Sequence, residues 1–307
     1  MAPPARLTPV RTGWLVNLLL VAVVAALAAY ALRGGRTEDP NLQPLTGLAA
    51  SVVQRIVIES RGSDPIELAR EGGAWFVTRP LYARANATQV DRVLDLLAVR
   101  ARDRMPAREL QRFDLDQPAL RVRFDDTAIA FGTTNPLTQD QYVLAGDAVY
   151  MISSHHRAAI PDRVERMLTH SLLRKDEKPV SFELPGFSVD RREGKWTLKP
   201  EQQDANLSQD DFNRWVDEWR FASSLLTQAA SGKPTQERIA VRLEDGRTLQ
   251  LGIVQREPEL VLTRADENLT FYFSQDVRER LLAGPSVRSA PGAGASAPPQ
   301  APAAADR

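Results

Sequence analysis

The chain has 307 residues, 43% apolar and 25% charged, with 39 basic and 39 acidic side chains and no cysteine. This globular composition excludes collagen-like and wholly disordered chains, and the missing cysteine excludes disulfide frameworks, thiolate metal sites and cysteine nucleophiles. Residues 1–36 hold four arginines and no acid, which leaves 35 basic against 39 acidic side chains beyond them and argues against nucleic acid as a partner.

From Leu15 to Leu32 eighteen residues carry no charge, enough helix to span about 27 Å of a hydrocarbon core roughly 30 Å thick. The pattern predicts a transmembrane helix over residues 14–32. Trp14 and Tyr30 lie near its ends at headgroup level, Leu15 and Leu32 bound the apolar run, and Arg11, Arg33 and Arg36 flank it. Residues 1–13 then form a short cytoplasmic arm, and the layout is that of a signal anchor with everything after it exported. The rival is a cleaved signal peptide, since Ala29-Tyr30-Ala31 resembles an A-x-A site, but the run is longer than a signal peptide's apolar region.

Residues 33–50 are polar and Pro-punctuated and predict a tether. Beyond them one series of features occurs twice. Glu71-Gly72-Gly73-Ala74-Trp75 matches Glu193-Gly194-Lys195-Trp196, each a glycine turn delivering a Trp-bearing strand that stops at Pro80 or Pro200. Asn86 with Gln89, and Ser208 with Asp211, have the spacing of N-cap and N3 residues. Each cap precedes an apolar stripe at helical spacing: Val90, Val93, Leu94, Leu97, then Phe212, Trp215, Val216, Trp219. Val122-Arg123-Phe124-Asp125-Asp126 and Val241-Arg242-Leu243-Glu244-Asp245 are alternating strands entering acidic turns, and each returns as a strand that ends in Gly132 or Gly252. Tyr142–Leu144 with Leu260–Leu262, and Tyr150–Ser153 with Phe271–Ser274, complete the set.

The predicted fold class is therefore α+β, an N-terminal transmembrane helix followed by two repeated α+β modules, each a largely antiparallel sheet with one packed helix. Repeat 1 covers residues 51–160 and repeat 2 residues 179–283, with Trp75, Trp196, Trp215 and Trp219 as landmarks. Between them, 161–178 predict a bridging helix opened by Pro161, with Val164, Met167, Leu168 and Leu172 on one face. Residues 284–307, rich in Pro and Ala, predict a disordered tail.

The chain holds no recognised catalytic or nucleotide-binding motif. Ser153-Ser154-His155-His156 with Asp162 carries the residue types of a triad or metal site, but adjacent histidines point different ways and only His170 remains as a third ligand. Asp125-Asp126 and Glu244-Asp245 sit at hairpin tips, where Asp stabilises the turn. The tryptophans are placed for burial, with an aromatic groove between the repeats as the alternative. Asn86-Ala87-Thr88 and Asn206-Leu207-Ser208 fit a glycosylation pattern but lie at helix starts, where capping accounts for them; Asn268-Leu269-Thr270 also fits it. No catalytic, cofactor or metal residue is assigned, and no cofactor is expected.

The Arg-bearing arm, the Leu/Ala-rich apolar run, Pro44-Leu45-Thr46-Gly47-Leu48, Ile56-Val57-Ile58-Glu59, Glu71 to Trp75, the Val90–Leu97 stripe and Phe113-x-Leu115-Asp116-x-Pro118 together resemble a bacterial domain-of-unknown-function family. The resemblance covers most of residues 13–283 and implies a single-span exported protein of the bacterial inner membrane, N-terminus cytoplasmic and later domains periplasmic. Some members are encoded beside ABC-type transport components of gliding-motility-like systems, which implies an accessory role. The expected function is thus a non-enzymatic, membrane-anchored periplasmic interaction protein, with the lipid bilayer and an envelope protein as partners. The alternatives are a ligand-binding module with a cleft between the repeats and a hydrolase centred on His155, His156 and Asp162.

Overall fold

A computed structural model describes residues 17–25, 42–101, 103–200 and 207–286. Residues 17–25 form a helix, α1, exposed throughout. No helix among the described residues is long and apolar enough to cross a membrane. This overturns the transmembrane helix expected over 14–32, and with it the signal anchor, the single-pass topology and the inner-membrane and periplasmic placement. Trp14, Leu15, Tyr30 and Leu32, the arm 1–13 and most of the tail 284–307 lie outside the described residues.

The predicted α+β balance is corrected as well, because strands in three antiparallel sheets dominate. The first half contains β1 (Gln43–Pro44), β2 (Arg55–Ser60), β3 (Ile66–Glu71), β4 (Ala74–Arg79), β5 (Ala83–Arg84), α2 (Ala87–Leu94), β6 (Arg100–Ala101), β7 (Arg104–Pro106), β8 (Leu120–Phe124), β9 (Thr127–Thr134), β10 (Asp140–Ala145), β11 (Ala148–Ser153) and α3 (His155–Ala158). The second half contains β12 (Pro179–Leu184), β13 (Phe187–Arg192), β14 (Lys195–Lys199), α4 (Gln209–Arg220), β15 (Leu226–Ala229), β16 (Glu237–Leu243), β17 (Thr248–Gln255), β18 (Leu260–Arg264), β19 (Leu269–Phe273) and α5 (Gln275–Leu282).

β1 and β6 form a two-stranded sheet. The nine-stranded sheet runs β5-β4-β3-β2-β8-β9-β10-β11-β7, and the eight-stranded sheet β14-β13-β12-β16-β17-β18-β19-β15. With β5 set aside the two orders coincide: a three-stranded meander, a four-stranded meander beside it, and at the far edge the strand that follows the helix. Alternation explains the faces. β8 and β16 bury every second residue, Leu120, Val122 and Phe124 in one, Ile239, Val241 and Leu243 in the other.

Both longer helices begin where side chains can satisfy free backbone N–H groups. The Asn86 carboxamide oxygen accepts from the Gln89 N–H at 3.3 Å. Ser208 and Asp211 form a reciprocal capping box. Their apolar stripes are buried: Val90, Val93, Leu94 and Leu97 against the first sheet's core, and Phe212, Trp215, Val216 and Trp219 in the second. There Phe182 packs edge-on to Trp215 with centroids 4.9 Å apart, and Trp215 edge-on to Trp219 at 6.1 Å. One continuous apolar core includes residues of both large sheets.

Residues 161–178 do not form the expected bridging helix. Only Val164–Met167 makes a single 3-10 turn, after which the chain is extended, with Leu168 bridged to Ala85 and Ser171 to Ser223. Met167, Leu168 and Leu172 are buried as their helical spacing predicted, but flanking strands on both sides offer backbone partners that a helix would forgo.

Gly132 and Gly252 both lie where strands pass under a neighbouring segment. A Cβ at Gly132 would overlap the Phe113 carbonyl oxygen, which is backbone and cannot rotate away, whereas at Gly252 the nearest obstacle is the Thr235 methyl. Gly132→Ala is expected to destabilise the fold by about 2–3 kcal/mol and Gly252→Ala by less, read as urea midpoints. Equal midpoints for Gly132→Ala and wild type would refute the close approach.

Candidate functional site

The extended segment 168–174 lies between the two large sheets and hydrogen-bonds to both. Toward β5, the Asn86 N–H donates to the Met167 carbonyl at 2.7 Å and the Thr169 N–H to the Arg84 carbonyl at 3.0 Å. Toward the chain entering β15, the Leu172 N–H donates to the Ala222 carbonyl at 3.1 Å and the Ser224 N–H to the His170 carbonyl at 2.9 Å. The sheets are thus stitched edge to edge through one strip of chain.

An ion cluster fills the same junction. Arg84, on β5, makes a two-pronged contact with Glu267 at 2.8 Å on each prong, and also donates to the Ser171 and Leu172 carbonyls at 2.8 and 3.3 Å. Arg264, at the end of β18, is 0% exposed. It donates to the Leu172 carbonyl at 2.7 Å, grips Glu177 at 2.7 and 2.9 Å and reaches Asp266 at 2.8 Å. Arg174 donates from its side chain to Glu267 and from its backbone N–H to Glu177, at 2.8 and 2.7 Å. Three guanidiniums meet three carboxylates, so no charge in the cluster is left buried and unpaired.

The titration of these groups follows from the geometry. Burial pushes Glu177 up, but the bonds from Arg264 and from the Arg174 backbone outweigh it and hold the carboxyl below its ordinary value. Asp266 is lowered in the same way, burial opposing and Arg264 prevailing. Burial works against the Arg264 charge, and Glu177 and Asp266 more than compensate, so it stays protonated.

The residues singled out from the sequence fall elsewhere. His155 Nδ1 lies 2.7 Å from Ser153 Oγ, while Asp162 faces Arg166 at 3.7 Å, so no acid orients the imidazole as a triad requires. The His155 and His156 ring centroids lie 3.9 Å apart with the rings tilted by 40°, and burial followed by the neighbouring His155 lowers His156. Among the described residues no group of three or more His, Cys, Asp or Glu is placed to hold a metal. Asp125 is a turn residue at positive φ whose carboxylate accepts from the Gln54 and Arg55 N–H groups, and Asp245 accepts from the Arg247 N–H. Trp196 is buried, its Nε1 donating to Asn213 at 3.1 Å, and Trp75 is half-buried against the core. Neither stands open as a binding platform.

Two surface features complete the inventory. Phe221, which ends α4, is 71% exposed, and Leu225 and Leu226 close by in the same segment are 67% and 38% exposed. Between α4 and α5 lies a groove of about 620 Å³ floored by Trp215 and spanned by a 2.9 Å bond from Arg280 to Glu218.

The sequence model of DUF4340, a domain of unknown function, matches residues 75–231. The chain belongs to this family. The DUF4340 match begins on β4 and runs past β15, so it takes in the whole linking segment with Arg84, Arg174 and Glu177, and stops before Arg264 and Glu267. No curated protein and no solved structure matches the chain.

The sequence reading missed the ion cluster. Its one local signal is Arg264, a charge closing the otherwise apolar Leu260-Val261-Leu262-Thr263 run of β18. Arg264→Met is expected to destabilise the protein by about 3–5 kcal/mol, because it strands Glu177 in the interior. Arg264→Met with Glu177→Met should cost clearly less than the two single changes together, and strict additivity in urea denaturation would show that the pair is not coupled. Since the folded Glu177 value lies below the ordinary 4.5, its contribution is complete above that pH and is lost as the pH falls through the folded value. Chemical denaturation at stepped acidic pH should show wild type losing stability in that range and the double variant losing less.

Proposed function

We propose that this DUF4340 protein is a non-enzymatic interaction module that binds another protein through the ridge formed by Phe221, Leu225 and Leu226. The observation that carries the reading is the exposure of three large apolar side chains within six residues, on a chain whose apolar side chains beyond the exposed helix α1 are largely packed into one core. A cluster of this kind is energetically unfavourable in water and marks contact surfaces, where an aromatic residue supplies the largest share of binding. Arg220 stands 5.3 Å over the Phe221 ring, adding the aromatic–arginine pairing common at such surfaces.

The partner class we favour is an ABC-type transport component, to which the protein would be an accessory. That choice rests on the family resemblance and on the proximity of such genes that the resemblance implies. The alternative of a ligand cleft between the two sheets gains no support at the junction, where the linking segment and the ion cluster occupy the space.

The full-length tagged chain, isolated gently from cells that produce it naturally, should carry a stoichiometric protein partner. Phe221→Ser with Leu225→Ser should lose that partner while changing folding stability by no more than about 0.5 kcal/mol, as expected of surface positions. Retention of the partner by the double variant would exclude the ridge as the contact, and a wild-type chain recovered alone would overturn the interaction reading.

A further inference from the structure

Each large sheet carries two helices in corresponding places, one after its three-stranded meander and one after its last strand. These are α2 and α3 on the first sheet, α4 and α5 on the second. A depression lies beside each pair, and their charges differ. In the α4/α5 groove both lining arginines are neutralised, Arg214 by Asp211 at 3.1 Å and Arg280 by Glu218 at 2.9 Å, and Asp276 and Glu279 add further negative charge. The α2/α3 depression, about 350 Å³, is lined by Arg92, Arg166, His155 and Gln89 with Pro161 and no carboxylate.

The arginines of that depression are poorly matched. Arg92 makes no ion pair or hydrogen bond among the described residues, although Asp91 and Asp95 flank it on the same chain. The carboxylate facing Arg166 belongs to Asp162 and stands back at 3.7 Å. Gln89 and Arg92 are three residues apart on α2 and so share a face. The Gln89 amide donates to the Ala159 carbonyl at 2.7 Å, which ties α2 to the chain leaving α3 and sets the spacing across the depression. His155 uses Nδ1 toward Ser153, leaving Nε2 without a partner among the described residues.

We propose that the α2/α3 depression is a binding site for a small oxyanion, a phosphate or carboxylate group held by Arg92 and Arg166 with His155 alongside. Planar guanidinium forks match the paired oxygens of such groups, and two arginines on one concave wall whose lining carries no carboxylate favour an anion there. The volume suits a small molecule. This inference is independent of the Phe221 ridge, which lies on the other sheet's side.

The three histidines of the chain, His155, His156 and His170, give three ring signals by NMR, and His155→Gln assigns the one at the site. Full-length protein is titrated with sodium phosphate and, separately, with citrate, at constant pH and at an ionic strength held with sodium chloride. The expected result is a saturable shift of the His155 signal with at least one of the two, while His170, at the junction, stays unmoved. Saturation with phosphate alone assigns the phosphate class, and with citrate alone the carboxylate class. Arg92→Gln should weaken binding about tenfold or more, the loss of one charge-assisted contact. Arg214→Gln, in the opposite groove, should leave it unchanged. Shifts that track ionic strength without saturating, or identical affinity in Arg92→Gln, overturn the site.

Discussion

The Leu172 carbonyl oxygen accepts from two guanidiniums, one carried by each large sheet, and the relative placement of the two halves depends on that arrangement. Arg84 reaches it from β5 and Arg264 from β18, while Glu267 and Glu177 hold the two arginines in place. A carbonyl in a strand has two lone pairs and commonly uses one. Here the Ser171 and Leu172 carbonyls of the linking segment turn toward the guanidiniums, while its Thr169 and Leu172 N–H groups and its His170 carbonyl pair with flanking backbone. A helix over 161–178 would have spent the same groups on itself and left two sheet edges open.

Open edges are the hazard that this fold has to manage. The linking segment covers β5 and the entry to β15. At β14 the Gln209 side chain acts as a substitute strand, its oxygen accepting from the Trp196 N–H at 2.8 Å and its amide donating to the Trp196 carbonyl at 3.1 Å. β7 is three residues long, ends in Pro106 and carries an Arg104–Asp147 ion pair. The edges are thus blunted by local devices, one of them shared, and the apolar surface from Phe221 to Leu226 is side chain and not unpaired backbone. A partner of the kind proposed for the ridge would meet side chains with their own shape, which select more sharply than a generic edge.

Much of the sheet architecture was legible because its signals are short-range. Asn86 and Ser208 cap helices where the spacing placed them, the two apolar stripes are buried, and the strands around Val122 and Val241 alternate as written. The membrane reading is overturned: eighteen uncharged residues met the composition test, but no helix among the described residues is long and apolar enough to cross a membrane. The bridging helix failed for a different reason, since Met167, Leu168 and Leu172 satisfy a helical period and are buried all the same, in extended chain between two strands. Periodicity reports which residues are inside and is silent on which backbone competes for their hydrogen bonds. The junction was invisible because its members, Arg84, Arg174, Glu177, Arg264 and Glu267, are common surface residue types separated by up to 183 positions.

A buried ion cluster is an expensive way to join two sheets, since desolvating six charged groups offsets most of the Coulomb attraction between them. An apolar seam of equal volume would hold as firmly, but it would tolerate sliding, because apolar contact has no preferred register. Bidentate arginine contacts tolerate almost none. The cluster thus defines geometry more than it adds stability, and the geometry has a use at the surface. Ser223 and Ser224 bind the linking segment and stand between Phe221 and Leu225 in the chain. These bonds fix the chain between Phe221 and Leu225 to the junction, so a partner that recognises the ridge in this conformation would also favour the docked junction. By linkage, whatever free energy the partner draws from a formed junction it returns as stability of that junction.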